Sequence, residues 1–488
     1  MKPVGTLALI AAFAACVASA EGGEWRPKER WRGFNLTEML NRDWNPESTG
    51  FEEEDFRIVS EWGFNFVRLP LDYRYWIKDG DRKNWETFDE SGFRKVDAAI
   101  EFGRKYGVHV QVCLHRIPGY TSGTPSEPTD IFSDPESLRV ACLHWRAIAR
   151  RYKGVPNDVL TFNLFNEPPY IDEAKYVPVA KALIGAIRAE DAERFIIADG
   201  VGYGRLPVHA LEGESGVGFG MRGYDPNSVT HYKVPWLRLP DEPPTWPLSV
   251  DAPYGILAGP VKPDMKRPLE LLSLPAGRAT ISFGRVSGCV KVRFTADGRQ
   301  CSERVFGPKE GGSETVELPN GAERLVVEAV EGDWIIPSRI EVESSDGSRK
   351  AVLVPSADWG MPKNFSQRFA GWQAGFVPCG CGAASARYAD PGMEYHYRKA
   401  LKPWDETIES GRFLYVGEFG VWRMTPHETA LAFMEDVLSV WKDRGIGWAL
   451  WNLRGDFGVL DSNRADVEYE DFRGHKLDRR MLELLQRN

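Results

Sequence analysis

The chain predicts a (β/α)₈ barrel, an α/β TIM barrel, with an inserted antiparallel β-sandwich domain. Three observations predict it. Short apolar strands alternate with longer amphipathic segments from Trp31 to Glu167, and the same alternation resumes near Met393. Between the two lies a stretch of period-2 runs separated by turn dipeptides. Repeated βα units put parallel strands under helices, and period-2 strands at regular spacing build a sandwich. A closed barrel fits better than an open doubly wound sheet, because no Gly-x-Gly-x-x-Gly follows the first strand.

The elements follow in order. Strands are expected at 33–36, 64–70, 108–114, 159–165 and 195–198, with helices at 52–62, 88–106, 137–152 and 174–189 between them. Gly107 is the stop signal of the second helix. A sixth strand is placed at 229–232 and a helix at 393–410. The seventh strand (413–417), a helix (425–444), the eighth strand (447–452) and a last helix (477–485) close the barrel.

From Leu239 the texture changes. A Pro-rich stretch, Leu239-Pro-Asp-Glu-Pro-Pro-Thr-Trp-Pro247, leads into alternating runs at 278–283, 289–294, 314–318, 323–329 and 338–343. Asp297-Gly298, Asn320-Gly321 and Asp346-Gly347 separate them as turns. The expected division is therefore a leader at 1–20, strands 1–6 of the barrel at 21–240, the sandwich at 241–360, and strands 7–8 at 361–488. Loops at the C-terminal ends of barrel strands build active sites, so an insert after the sixth strand is expected near the substrate, as a wall or as a carbohydrate-binding surface.

The N-terminus has one Lys, an apolar run from Leu7 to Val17, and the small residues Ala18-Ser19-Ala20 before Glu21. That pattern predicts a secretory signal peptide and a secreted or periplasmic protein. A competing reading takes Phe13-Ala14-Ala15-Cys16 as a lipoprotein site that anchors the chain through Cys16, although Phe is a poor residue at its first position. No later segment approaches 18 consecutive apolar residues, so no transmembrane segment is expected. The net charge of −9, without any basic run, argues against a nucleic-acid partner. Oligomeric state leaves no mark on the sequence.

Of the seven Cys, Cys289 and Cys301 are spaced to close a hairpin in an exported protein. Cys113 and Cys142 read as buried free thiols. Cys379-Gly380-Cys381 lacks the second ligand pair of a zinc site, so no metal is read from it. The 17 Trp serve equally as core or as sugar platforms.

Barrels put their catalysts at strand C-termini, and this filter removes many of the 70 acids as helix-surface or loop residues. Two acids stand out. Phe165-Asn166-Glu167-Pro168 ends the fourth strand, and Val416-Gly417-Glu418-Phe419-Gly420 ends the seventh, with glycines that let backbone and substrate approach. Splitting a glycosidic bond needs a proton for the leaving oxygen and stabilisation of an oxocarbenium-like carbon, which two facing carboxyls provide. Around them, Arg68 ends strand 2 as a cation for a carboxylate, and His115, before Arg116, ends strand 3. His231 and Tyr232 end the expected strand 6. Trp451 ends strand 8 as a floor under a sugar, with Trp448 as core.

Taken together, Arg68, His115, Asn166-Glu167-Pro168, His231-Tyr232, Gly417-Glu418-Phe419-Gly420 and Trp451 resemble family 5 of the glycoside hydrolases, the cellulase and mannanase family of clan A. Arg32-Gly33-Phe34-Asn35-Leu36 resembles its first strand. The likeness covers 31–235 and 390–485 and leaves out the insert. It implies a retaining O-glycosyl hydrolase with Glu167 as acid/base and Glu418 as nucleophile, and an oligo- or polysaccharide substrate. It further implies that Asn166 contacts a 2-hydroxyl, Tyr232 bonds the nucleophile, Trp451 stacks under the sugar, and no metal or organic cofactor takes part. Members often carry two adjacent His at strand 3, or His-x-Tyr at strand 6, where this chain has His115-Arg116 and His231-Tyr232. The expected substrate is β-1,4-glucan ahead of mannan. The alternatives are an exo-acting β-mannosidase or β-glucosidase and, in another class, a non-catalytic carbohydrate-binding protein, which has no need of two matched carboxylates.

Overall fold

A computed structural model describes residues 25–237, 239, 243–247, 257–260, 268–307, 311–348, 350–353, 367–370, 377–379 and 391–488. The expected leader, Cys16 and Cys381 lie outside the described residues.

Eight parallel strands close into a barrel: Arg32–Asn35, Phe66–Asp72, His109–Ile117, Leu160–Asn163, Ile196–Asp199, Val217–Gly223, Leu414–Phe419 and Gly447–Leu450. Each pairs with its neighbour in order, the eighth pairs with the first, and the second with the third completes the ring. Phe66–Asp72 is buried at every position, as expected of a parallel strand covered on both faces. The helices begin where the sequence supplies a cap. Asp89 accepts the Ser91 N–H ahead of Glu90–Tyr106, and Asp134 accepts the Glu136 and Ser137 N–H groups ahead of Pro135–Arg151. Asp172 does the same for Ala174 ahead of Glu173–Arg188. Gly107, at φ +67°, ends the second barrel helix in the left-handed conformation that glycine adopts at no steric cost.

The barrel interior is layered. Trp31, Phe66, Phe195 and Tyr415, all at or beside strand starts, form an aromatic plug, with Trp31 stacked on Phe66 at 4.7 Å and edge-on to Tyr415 at 5.2 Å. The Tyr415 hydroxyl donates to Gln111, one layer higher. Above that, the strands present Asn35, Arg68, Asn163 and Asp199, all fully buried and polar. Apolar packing at the base thus leaves charged groups to collect at the C-terminal mouth.

One strand departs from expectation. The sixth is Val217–Gly223, and the strand expected at 229–232 does not form: its first two residues end a short helix, Asn227–Thr230, that His231 caps. Thr230 donates its hydroxyl to the Tyr224 and Pro226 carbonyls, folding the segment back on itself. His231 and Tyr232 therefore stand on the loop after the sixth strand and not at its end.

Between the sixth and seventh strands the chain builds two further sheets. Gly312–Leu318, Gly277–Ser287, Trp334–Ser344 and Lys350–Leu353 form one, with Leu257–Ala258 on its edge. Arg299–Phe306, Val290–Ala296, Ala322–Glu331 and Leu269–Leu274 form the other. Both faces feed one apolar core, including Ile281, Phe283, Ile340 and Val342 from the first sheet and Leu271, Val292, Phe294 and Val327 from the second. The second sheet continues past residue 360 through Gln367–Ala370 and Val377–Cys379, and the pairing of Gln367–Ala370 with Leu269–Leu274 is parallel.

Cys289 and Cys301 are free and exposed, not bridged. The hairpin register explains this. Val290 faces Phe306, and Cys301 lies at the bulge beside Phe294 and Thr295. Some five residues of strand, about 16 Å, separate the two thiols along the ladder, too far for a disulfide. Cys113 is buried and free, as read from its strand, and Cys142 is free and partly buried. Among the described residues, no group of three or more His, Cys, Asp and Glu is placed to hold a metal ion, and no helix is long and apolar enough to cross a membrane.

Candidate active site

The mouth of the barrel is organised by two buried guanidinium groups, Arg68 and Arg222. Arg68, fully buried in the second strand, donates Nη1 to Glu418 Oε1 at 2.7 Å and to Asn35 Oδ1 at 3.0 Å. Its Nη2 donates to Asn166 Oδ1 at 2.7 Å and Asn163 Oδ1 at 3.1 Å. Four acceptors on one buried guanidinium fix its orientation, and with it the position of the Glu418 carboxyl that takes one of its N–H groups.

Arg222, near the end of the sixth strand, was not anticipated from the sequence, yet it touches both carboxylates. Its Nε donates to Glu167 Oε1 at 3.2 Å, and its Nη2 lies 3.5 Å from Glu418 Oε1. The same Nη2 donates to Asp199 Oδ2 and to Asn166 Oδ1. Strand register makes this possible, because Glu418 pairs directly with Arg222 across the sixth and seventh strands. Two glycines clear the space. A Cβ on Gly220 would stand 2.4 Å from Asp199 Oδ1, and one on Gly417 would stand 2.9 Å from Arg222 Nη1.

The carboxyls differ in environment. Glu418 is the more enclosed, its side chain 5% exposed, and it accepts from Arg68 and from the Tyr224 hydroxyl at 3.3 Å. Glu167 is 18% exposed, with φ at +49°, and its backbone is pinned by the Asp199 carboxylate on its N–H at 3.1 Å and by the Tyr120 hydroxyl on its carbonyl at 2.6 Å. Burial pushes the Glu167 carboxyl up to about 7, the charge of Glu418 adds to the rise, and Arg222 opposes it. At neutral pH Glu167 is thus poised to give or take a proton.

The residues expected around the pair fall into three groups. Arg68, Asn166, Glu167 and Glu418 converge, and Asn166 is held by both arginines and donates Nδ2 to Ser122 Oγ at 3.0 Å. His115 and Trp451 stack at 5.7 Å, and Trp451 is partly exposed. Burial, and then the charge of Arg68, hold the His115 imidazole well below its usual range, so it is neutral and no proton donor at working pH. The correction concerns His231 and Tyr232. The hydroxyl that reaches Glu418 belongs to Tyr224, in the loop directly after the sixth strand. His231 packs edge-on to Tyr224 at 5.0 Å and bonds Thr230 Oγ1 through Nδ1, supporting that ring. Tyr232 is buried beside Lys233.

Besides Arg222, the sequence reading missed Tyr224, Asp199, Asn163 and Asn35. Asp199 lies one residue past the expected fifth strand. The alternation of Val217, Phe219 and Met221 with Gly218, Gly220 and Arg222 is a period-2 signal that would have placed the sixth strand, Arg222 and Tyr224 correctly.

Residues 20–231 match the family model for cellulase, glycosyl hydrolase family 5. Cellodextrinase A of Ruminococcus flavefaciens is 29% identical over 219 residues, covering 42% of this chain and 61% of that protein. Endoglucanase C of Acetivibrio thermocellus is 28% identical over 191 residues, covering 38% of this chain and 54% of that protein. The chain thus spans only about half to three-fifths of the length of these curated relatives. Among solved structures, a glycoside hydrolase superposes with a TM-score of 0.60 at 23% identity, covering 94% of this chain and 99% of that one. The clostridial cellulose synthase subunit Z of Clostridioides difficile superposes with a TM-score of 0.52 at 15% identity, covering 94% and 99%; both share the fold. Residues 20–231 thus make up a stretch that matches the cellulase domain of glycosyl hydrolase family 5.

Proposed function

We propose that this protein is a secreted retaining β-glycosidase that hydrolyses β-linked glucan chains. The observation that carries the reading is the single guanidinium of Arg222 lying between a near-neutral carboxyl, Glu167, and a carboxylate held by Arg68, Glu418. A carboxyl raised to about 7 by burial, beside one bonded to a buried guanidinium and a tyrosine hydroxyl, is the asymmetry a double displacement needs.

In the first step Glu418 attacks the anomeric carbon as Glu167 gives its proton to the departing oxygen, leaving a glycosyl ester on Glu418. In the second, Glu167 takes a proton from water, the water oxygen bonds to the anomeric carbon, and Glu418 leaves as carboxylate. Tyr224 and Arg68 hold the Glu418 oxygens through both steps. Asn166 spends one amide hydrogen on Ser122 and keeps another for a sugar hydroxyl. Trp451, partly exposed and stacked on His115, supplies a floor under the reacting sugar.

The substrate is read as β-1,4-glucan, ahead of mannan, from relatives named cellodextrinase and endoglucanase. Export is proposed on the Lys2, Leu7–Val17 and Ala18-Ser19-Ala20 pattern.

Glu418→Ala tests the mechanism. It should abolish turnover, and azide should restore part of it on an activated aryl β-glycoside, yielding the inverted glycosyl azide. Unchanged hydrolysis by the variant would falsify the role of Glu418. A distance near 8 Å between the two carboxyls in a crystal structure, in place of about 5–5.5 Å, would point to inversion.

A further inference from the structure

We propose that Ser122, on the loop after the third barrel strand, is a positioning residue for the acid/base, its hydroxyl joining the Asn166 amide to the Glu167 carboxyl and serving that carboxyl in both of its proton states. The inference rests on the glycosidase reading above and deepens it by one residue, which stands on a loop where strand-end position is no guide.

The loop is built to hold that hydroxyl in place. Pro118-Gly119 turns the chain back on the third strand, so that Tyr120 pairs with Ile117 and Thr121 with Arg116. Gly119 takes the turn at φ +85°, where a Cβ would stand 2.8 Å from the Ile131 nitrogen, and its carbonyl accepts the Ile131 N–H at 2.9 Å. On the far side of Ser122, Arg116 reaches across the loop. Its Nη2 donates to the Pro125 carbonyl at 2.6 Å and its Nη1 to Glu127 Oε1 at 2.7 Å. Both of these side chains are buried, and Glu127 also accepts from the Tyr73 hydroxyl at 3.2 Å. Ser122 is thus fastened by strand pairing before it and by a buried ion pair after it.

From there the loop meets the acid/base segment twice. Tyr120 donates its hydroxyl to the Glu167 carbonyl at 2.6 Å, and Ser122 Oγ accepts from Asn166 Nδ2 at 3.0 Å. Asn166 is not able to turn away, because Arg68 and Arg222 both donate to its Oδ1, each at 2.7 Å. A serine hydroxyl has one hydrogen and two lone pairs. With one lone pair given to Asn166, the hydrogen is left for the Glu167 carboxylate, which it stabilises. When Glu167 carries the proton, the second lone pair remains to accept it. Burial raises the Glu167 carboxyl and the charges of Glu418 and Asp199 add to the rise, while Arg222 and Ser122 oppose it. Arg205, Tyr120 and Tyr224 also interact with it electrostatically. Ser122 differs from the charged groups in acting through one hydrogen bond, so its removal leaves every charge around Glu167 in place.

The test is Ser122→Ala read on a pH profile. The alkaline limb of kcat/KM for cellotetraose reports loss of the Glu167 proton. Without the hydroxyl the carboxylate loses a donor, so the limb should move to higher pH by roughly half a unit or more, the scale of one hydrogen bond to a charged group. Ser122→Thr keeps the hydroxyl and should keep the limb where wild type has it. A side chain that only packs the loop would lower the plateau and leave the limb unmoved. The same proton is followed without turnover by NMR of protein with isotope-labelled glutamate carboxyl carbons. The resonance that Glu167→Gln removes should titrate at higher pH in Ser122→Ala than in wild type. A limb or a resonance that stays in place or moves to lower pH overturns the role of Ser122 while the glycosidase reading stands, as does a Ser122→Thr limb that moves with that of Ser122→Ala. A wild type inert on cellotetraose and on an activated aryl β-cellobioside overturns that reading and the role of Ser122 with it.

Discussion

Burial and the charge of Glu418 raise the Glu167 carboxyl to about 7, so the folded protein holds a proton there that the unfolded chain releases near 4.5. The stabilisation this proton brings is complete below about 4.5 and is lost as pH climbs through 7. Glu167→Gln removes the titration. Wild type should therefore lose up to about 3 kcal/mol relative to Glu167→Gln between pH 4.5 and 8, read from denaturation midpoints across that range. A difference that does not change with pH contradicts the raised value. The hydroxyl of Tyr224 on Glu418 invites a second substitution. Tyr224→Phe should lower kcat about tenfold with little change in KM, the loss of one hydrogen bond to a charged group. Glu167, Glu418, Arg68 and Asn166 were legible because strand-end position and residue type together narrow the choice. Tyr224 was not, because its role depends on where the sixth strand stops.

That strand shows what propensity hides at the scale of an element. Val217–Gly223 has glycine at three of seven positions, and glycine weakens a strand when judged by its neighbours in sequence. The glycines answer to the third dimension. Gly218 faces Phe413 and Phe195, which a Cβ would meet at 2.8 and 3.0 Å, and Gly220 makes room for the Asp199 carboxylate that grips Arg222. Helix boundaries were more legible, because Asp89, Asp134 and Asp172 act on N–H groups two or three residues away. Gly220→Ala should displace Asp199, loosen Arg222 and cost about 1–3 kcal/mol of stability. Hydrolysis should fall with it, while Asp134→Ala, whose carboxylate bonds Glu136 and Ser137 of the helix it caps, should cost about 1 kcal/mol and leave kcat unchanged. Equal activity in Gly220→Ala and wild type would show that Asp199 does not position Arg222.

At the scale of the whole molecule, the chain packs two large apolar clusters that share no residue. One gathers the barrel strands and their helices, from Phe34 to Leu485, and the other lies between the two inserted sheets, from Leu257 to Ala351. Alternation and turn dipeptides made the second cluster legible, but its limits were not, since strands at Gln367–Ala370 and Val377–Cys379 join by pairing with distant partners. A core of its own is what lets a segment unfold as its own cooperative unit. Calorimetry should therefore resolve two thermal transitions. Ile340→Ala, in the insert core, should destabilise one of them by about 2–5 kcal/mol, leaving the other transition and the rate of aryl β-glycoside hydrolysis in place. The groups proposed above for catalysis all come from the barrel strands and the loops beside them, so chemistry should survive at temperatures where the insert has melted. A single transition that shifts as a whole would instead make the insert part of the barrel's own folding unit, and the site would then depend on it.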